Sequence, residues 1–177
     1  MVSSWISRWS HVVRQGCHAL DLACGSGRHS RFLASLGASV LAVDRDAAAL
    51  ATLVDLPSVK VLLCDLECGE WPLLDQRFDV VVVTNYLYRP HFPALIDALA
   101  PAGVLIYETF ALGQAAFGRP RSPAYLLQPG ELLTLCSGLH ILAYEDGIQT
   151  EPASCRVQRV VAVNPPVADD RLILRTN

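Results

Sequence analysis

No apolar run in these 177 residues approaches the roughly 18 that a membrane-spanning helix needs. Met1 to Gly16 has neither the apolar segment nor the small-residue cleavage pattern of a secretory signal. A cytoplasmic protein that does not bind membranes is the expectation. No CxxC pair occurs among the six cysteines, Cys17, Cys24, Cys64, Cys68, Cys136 and Cys155. Most of them fall in or beside predicted strands, where free cysteine behaves as a small hydrophobe, so they read as reduced core residues. Cys64 and Cys68 have a spacing that suits a metal, but no histidine or second cysteine pair accompanies them, and no metal is expected. A net charge of -3 supplies no general basic footprint for a polyanion, so nucleic acid is not an expected partner. There is no internal repeat and no low-complexity tract.

What is present is a hydrophobic content of 52%, enough for one domain with a full core and too short a chain for two ordinary ones. Residues 1–16 read as an N-terminal helix, 17–163 as the core and 164–177 as a loosely held tail. Five polar residues stand just past apolar runs: Asp21, Asp44, Asp65, Asn85 and Glu108, at intervals of 23, 21, 20 and 23 residues. That interval is about one strand, one helix and two turns, so the pattern reads as successive βα units of an α/β fold. Runs such as Val80 to Val83 and Val104 to Ile106 are continuous rather than alternating, as strands covered on both faces require. In open parallel sheets ligands bind beyond the carboxyl ends of the strands, where all five polar residues would meet.

Ser3 to Val13 has the apolar spacing of an amphipathic helix opened by a serine cap, with Trp5 and Trp9 on its packing face. It is expected across the sheet edge or the mouth of the site. Further helices are expected over Arg28 to Leu36, with Phe32, Leu33 and Leu36 inward, and from an Asp46 cap to Val54. Others are expected over Pro90 to Ala100 and behind Pro129 to Cys136, while the crossover from Asp65 to Phe78 has little room for one. Phe110 to Gln128 lacks any periodic signal and reads as a lid or binding element. Two strands, Leu139 to Tyr144 and Arg156 to Val163, are expected to pair antiparallel through a connection containing Gly147.

Asp21-Leu-Ala-Cys-Gly-Ser-Gly-Arg28 lies between the first strand and first helix, where glycines let the backbone turn tightly and approach a ligand. The dinucleotide fingerprint needs a third glycine where this chain has Ser30. A carboxylate such as Asp21 instead suits a ligand whose amino acid end is cationic. On these residues the chain resembles the class I S-adenosylmethionine-dependent methyltransferases over essentially Cys17 to Val163. With its short third crossover, the run through His29 and Ser30 is similar to the compact bacterial branch that includes tellurite-resistance-type enzymes.

The resemblance implies a Rossmann-like three-layer sandwich with a seven-stranded, mostly parallel sheet of order 3-2-1-4-5-7-6, strand 7 antiparallel. It implies S-adenosylmethionine as cofactor, S-adenosylhomocysteine as product, and direct methyl displacement to an acceptor, most plausibly a small molecule. Asp21, Ala23, Gly25 and Gly27 would face the methionine portion, Asp44 the ribose hydroxyls, and Arg45, Asp65 and Leu66 the adenine, with Asn85 completing the set. Tyr86 and Tyr88 would stand beside the sulfonium or simply pack. If the acceptor needs a base, Glu108, His29 and Tyr86 are the candidates in that order, although His29 could equally be a capping residue. Glu108 is expected to reach the pocket or pair with a cation such as Arg89, and Arg119 and Arg121 to hold an anionic substrate or solvate the lid.

Amide- and base-methylating relatives carry Asn-Pro-Pro-Tyr after the fourth strand, whereas here Asn85 precedes Tyr86-Leu87. The alternatives are a non-catalytic cofactor-binding or partner-stabilising subunit, an NAD-dependent oxidoreductase, and a methyltransferase acting on RNA or protein. A homodimer is left open.

Overall fold

The computed structural model describes residues 1–167 together with 169 and 172. Most of the expected tail therefore lies outside the described residues. Seven strands build one sheet: β1 (His18–Leu22), β2 (Ser39–Asp44), β3 (Val59–Leu63), β4 (Phe78–Thr84), β5 (Leu99–Phe110), β6 (His140–Gln149) and β7 (Cys155–Val163). Their order is β3-β2-β1-β4-β5-β7-β6, as the resemblance implied. Neighbours from β3 to β5 are parallel, while β7 runs antiparallel to both β5 and β6.

The valine run of β4 shows why this sheet is covered twice. Val81 and Val83 pack with Trp71, α4 (Phe92–Asp97) and α5 (Glu131–Leu135). Val80 and Val82 point the other way, to α1 (Ser4–Arg8), α2 (Arg28–Ser35) and α3 (Ala47–Ala51). All four valines are fully buried, and alternation within one strand thus feeds two cores.

The helices are shorter than the sequence suggests. The N-terminal helix ends at Arg8 and continues as a 3-10 turn, Ser10–Val12, with Trp5 and Trp9 both in the core. In α2 the inward residues are His29, Ser30 and Leu33, whereas Leu36 is the half-buried C-cap. Asp46 does cap α3, its carboxylate accepting from the amides of Ala48 at 2.9 Å and Ala49 at 3.1 Å. The helix expected through Ala100 stops at Asp97, because Phe78 already pairs with Leu99 as β5 begins. Between that pair and Val80–Val104 the register shifts, and Ala102 takes a left-handed φ of 61° to accommodate it. Gly147 is a paired residue of β6, opposite Val157, so the hairpin turn is formed by residues 150–154 instead.

The 110–128 segment is tethered rather than loose. Ala111 bridges Leu127, and buried Gln114 accepts from the Arg156 amide at 2.8 Å while donating to the Arg119 carbonyl at 3.1 Å. Arg89 pins its far end, donating to the carbonyls of Ala124 at 2.7 Å and Leu126 at 2.9 Å and pairing with Glu131 at 2.6 Å.

Candidate functional site

The carboxyl ends of β1, β2, β3 and β4 open onto a cavity of about 190 Å³ rimmed by Ala23, Asp44, Arg45, Asp65, Leu66 and Tyr86. A narrow cleft of about 10 Å³ shares Leu66 and Tyr86 with it, among Trp71, His91 and Tyr107.

The glycine turn after β1 has the shape its composition demands. Ala23, Gly25 and Gly27 have φ of 53°, 54° and 72°, a left-handed region that costs residues with a Cβ about 1–2 kcal/mol. A Cβ at Gly25 would meet nothing within 4 Å, so the backbone is bare to open space there. At Gly27 a Cβ would lie 2.4 Å from Leu53 Cδ1, so this glycine lets α2 seat against the end of α3. Asp44 holds the turn from the neighbouring strand: one carboxylate oxygen accepts from the Gly25 amide at 2.7 Å and the other from the Asp46 amide at 2.9 Å. Each oxygen keeps a second lone pair for a ligand hydroxyl. Asp65 accepts from the Glu67 amide at 2.9 Å and lies 3.8 Å from the exposed Arg45 guanidinium.

Asp21 is placed differently from the other acids. Its side chain is fully buried beneath the turn, with one oxygen accepting from Ser30 Oγ at 2.6 Å and the other without a partner among the described residues. Burial pushes its carboxyl up to about 6, against the opposing Ser30 hydrogen bonds. The same burial, with Asp21 and Asp44 nearby, pushes the Cys24 thiol up to about 12 and leaves it inert. The cysteines are not uniformly core residues, since Cys68 is exposed and Cys64 lines the cavity.

A second polar cluster lies toward the carboxyl ends of β4 and β5, beside the middle of β7. Glu108 stands directly opposite Arg159 in the β5–β7 ladder and forms an ion pair with it at 2.5 Å, so its cation is Arg159 and not Arg89. The other Glu108 oxygen accepts from Ser3 Oγ at 2.9 Å. His29 completes the group, its Nε2 accepting from the Ser3 amide at 3.2 Å and its Nδ1 lying 3.3 Å from Thr84 Oγ1. The Ser3 contact requires a bare Nε2, so the ring is the Nδ1–H tautomer donating to Thr84. Burial, aided by the charges of Arg28 and the N-terminal amine, lowers His29 to about 4 and keeps it neutral. The start of the N-terminal helix therefore sits against this cluster.

Tyr86 belongs to the cavity instead. Its buried hydroxyl has no partner among the described residues, and burial together with Glu67 and Asp65 pushes its pKa up, so the phenol stays protonated. Asn85, exposed at the tip of β4, takes a left-handed φ of 56° and donates its amide to the Glu108 carbonyl at 2.9 Å. Sequence reasoning singled out neither Arg159 nor Thr84. It read Ser3 only as a cap, which Ser3 also is, accepting from the Trp5 amide at 3.1 Å.

Residues 19–103 match the family model described as a methyltransferase domain. No curated protein matches the sequence. TehB from Haemophilus influenzae is similar in structure with a TM-score of 0.75 at 18% identity, covering 92% of this chain. The chain spans 62% of the length of that TehB. An S-adenosylmethionine-dependent methyltransferase from Mesorhizobium loti aligns with a TM-score of 0.70 at 20% identity, over 92% of this chain and 98% of its own. The N-methyltransferase NodS from Bradyrhizobium japonicum aligns with a TM-score of 0.69 at 16% identity, over 93% and 99%.

Proposed function

We propose that this chain is a class I S-adenosylmethionine-dependent methyltransferase that moves a methyl group to a small-molecule acceptor. The observation that carries this reading is the cavity whose rim holds Asp44, Arg45, Asp65 and Leu66 beside the bare glycine turn. The cofactor, when bound, supplies a methyl carbon already activated by a cationic sulfur. The chain's own residues then need chiefly to align and enclose, and good alignment of reacting groups is worth roughly 7 to 11 kcal/mol.

In this reading the turn at Ala23, Gly25 and Gly27 lies along the methionine portion, and Asp44 accepts from the ribose hydroxyls. Asp65, Leu66 and Arg45 hold the adenine end. Asp21 acts from below the turn, fixing Ser30 and contributing negative charge toward the ammonium. Asn85 borders the methionine end, with Tyr86 offering its free hydroxyl and ring face to the sulfonium. On the far side, Glu108 and His29 are the groups available to accept a proton, Tyr86 being held protonated by its burial, and the acceptor enters between the Ser3 region and the tip of β4.

Calorimetry with S-adenosylmethionine, S-adenosylhomocysteine and NAD tests the assignment. Both adenosyl ligands are expected to bind, and Asp44→Ala to weaken them by about 1.5 to 3 kcal/mol, the range for hydrogen bonds to charged groups. Binding of NAD alone would overturn it.

A further inference from the structure

The Ser3 cluster contains two buried acceptors and one segment that satisfies both. Glu108 Oε1 takes the Ser3 hydroxyl proton and His29 Nε2 takes the Ser3 amide proton. His29 is 1% exposed and Glu108 7% exposed, so neither atom has ready access to water in this arrangement. Withdrawing Ser3 would leave two buried acceptors unpaired, a state that proteins rarely tolerate. Whatever takes its place at low cost, water or an incoming molecule, has to bring donors of its own.

The segment is also tied into a chain of charges. Arg8 pairs with Glu145 at 2.9 Å, Glu145 with Arg159 at 3.2 Å, and Arg159 with Glu108. Guanidinium groups of Arg8 and Arg159 lie 5.6 Å and 5.9 Å from the Trp5 ring. The anchor on Arg8 and Glu145 is 44% exposed at both side chains, a type of pair worth little and weakened by salt. Buried Trp5, Ile6 and Trp9 hold the helix itself, and the inner contacts hold Ser3 at its start.

We infer that Ser3 occupies the acceptor's place, and that the acceptor is an amine or hydroxyl compound presenting two adjacent hydrogen-bond donors to His29 Nε2 and Glu108 Oε1. A thioether, ether or halide brings no donor and would leave both atoms bare. This inference rests on the methyltransferase reading for the word acceptor; the donor-matched site stands on Ser3, His29 and Glu108 alone.

The test follows amide hydrogen exchange over residues 3–9 by mass spectrometry, at constant ionic strength. The probes are 50 mM ethanolamine, with two donors, and 1,2-dimethoxyethane or dimethyl sulfide, with none. Ethanolamine is expected to speed exchange at least threefold and the other two to leave it unchanged. Ser3→Thr keeps both donors and is expected to respond like the parent. Ser3→Pro, whose ring suits the native φ of -59°, removes both and is expected to exchange fast without responding further. Equal response to all three probes, or none to ethanolamine, overturns the inference. Once an acceptor is known, its KM is expected to fall about fivefold in Ser3→Ala with kcat nearly unchanged, because a competing contact has been removed. A raised KM would show that Ser3 binds the acceptor rather than standing in for it. Failure of S-adenosylmethionine to bind in parallel calorimetry would sink the methyltransferase reading while leaving the donor-matched site standing.

Discussion

Asp21 is a carboxylate that the fold holds at a cost, and Asp21→Asn should expose that cost. The folded carboxyl titrates at about 6 against an ordinary 3.8, which corresponds to about 3 kcal/mol. Between pH 4 and 6 the folded chain retains a proton that the unfolded chain has lost, so stability falls as pH rises through that window. Above pH 6 the full cost applies. Asparagine removes it and can still accept from Ser30 Oγ, but its amide group takes the place of an oxygen with no partner among the described residues. An orphaned buried donor costs about 1 to 2 kcal/mol, leaving a net gain of about 1 to 2 kcal/mol at pH 7. For a chain of this length that raises Tm by roughly 2 to 8 °C.

The difference in stability between variant and parent, followed as Tm from pH 4 to pH 8, should be greatest above pH 6 and should fall by about 2 to 3 kcal/mol toward pH 4, where the variant becomes the less stable of the two. His29 titrates in the same range but is common to both proteins and cancels in the difference. Cofactor affinity of the variant should fall even as stability rises, the signature of charge kept for binding. A difference in Tm that does not vary with pH would refute the reasoning, since only the ionised form is penalised.

Glu108→Gln leaves Arg159 buried with Glu145 as its remaining ion-pair partner, and is expected to cost about 2 kcal/mol in denaturant unfolding while cofactor affinity stays within twofold and turnover drops. Arg89→Ala removes the strap on the 110–128 segment, so limited proteolysis between 112 and 125 should quicken and stability fall by about 2 kcal/mol. Gly27→Ala combines a left-handed φ with a clash on Leu53 and should cost about 2 kcal/mol. Paired with Leu53→Ala, it should cost less than the two single changes summed, which thermal unfolding of the four proteins checks.

The succession of strands and the polar residues that end them were legible in the sequence because each depends on local pattern, whereas the strand order came from the family resemblance. Continuous valines need cover on both faces, and an acid just past such a run must emerge where the sheet ends. The glycine turn was legible for the same reason, since positions of positive φ favour glycine. Helix ends were less so. Arg28–Ser35 is opened by a left-handed glycine without a side-chain cap, and Asp97 ends α4 because pairing of Leu99 competes for the chain. Tertiary pairing overrides propensity at such ends.

What sequence alone determined here is the periodic part: a doubly covered sheet, its bare turn, and acids gathered along one edge. Which charge meets which was decided only by the folded register. Glu108 faces Arg159 because β7 runs antiparallel beside β5, a match between residues 51 positions apart that nothing local encodes. Asp21 lies under the turn rather than in the cavity because Ser30, nine residues later, is turned inward by α2. Ser3 reaches His29 and Glu108 across the molecule for the same reason. Long-range pairings are set by burial and strand registry acting together, and a sequence read in windows sees neither.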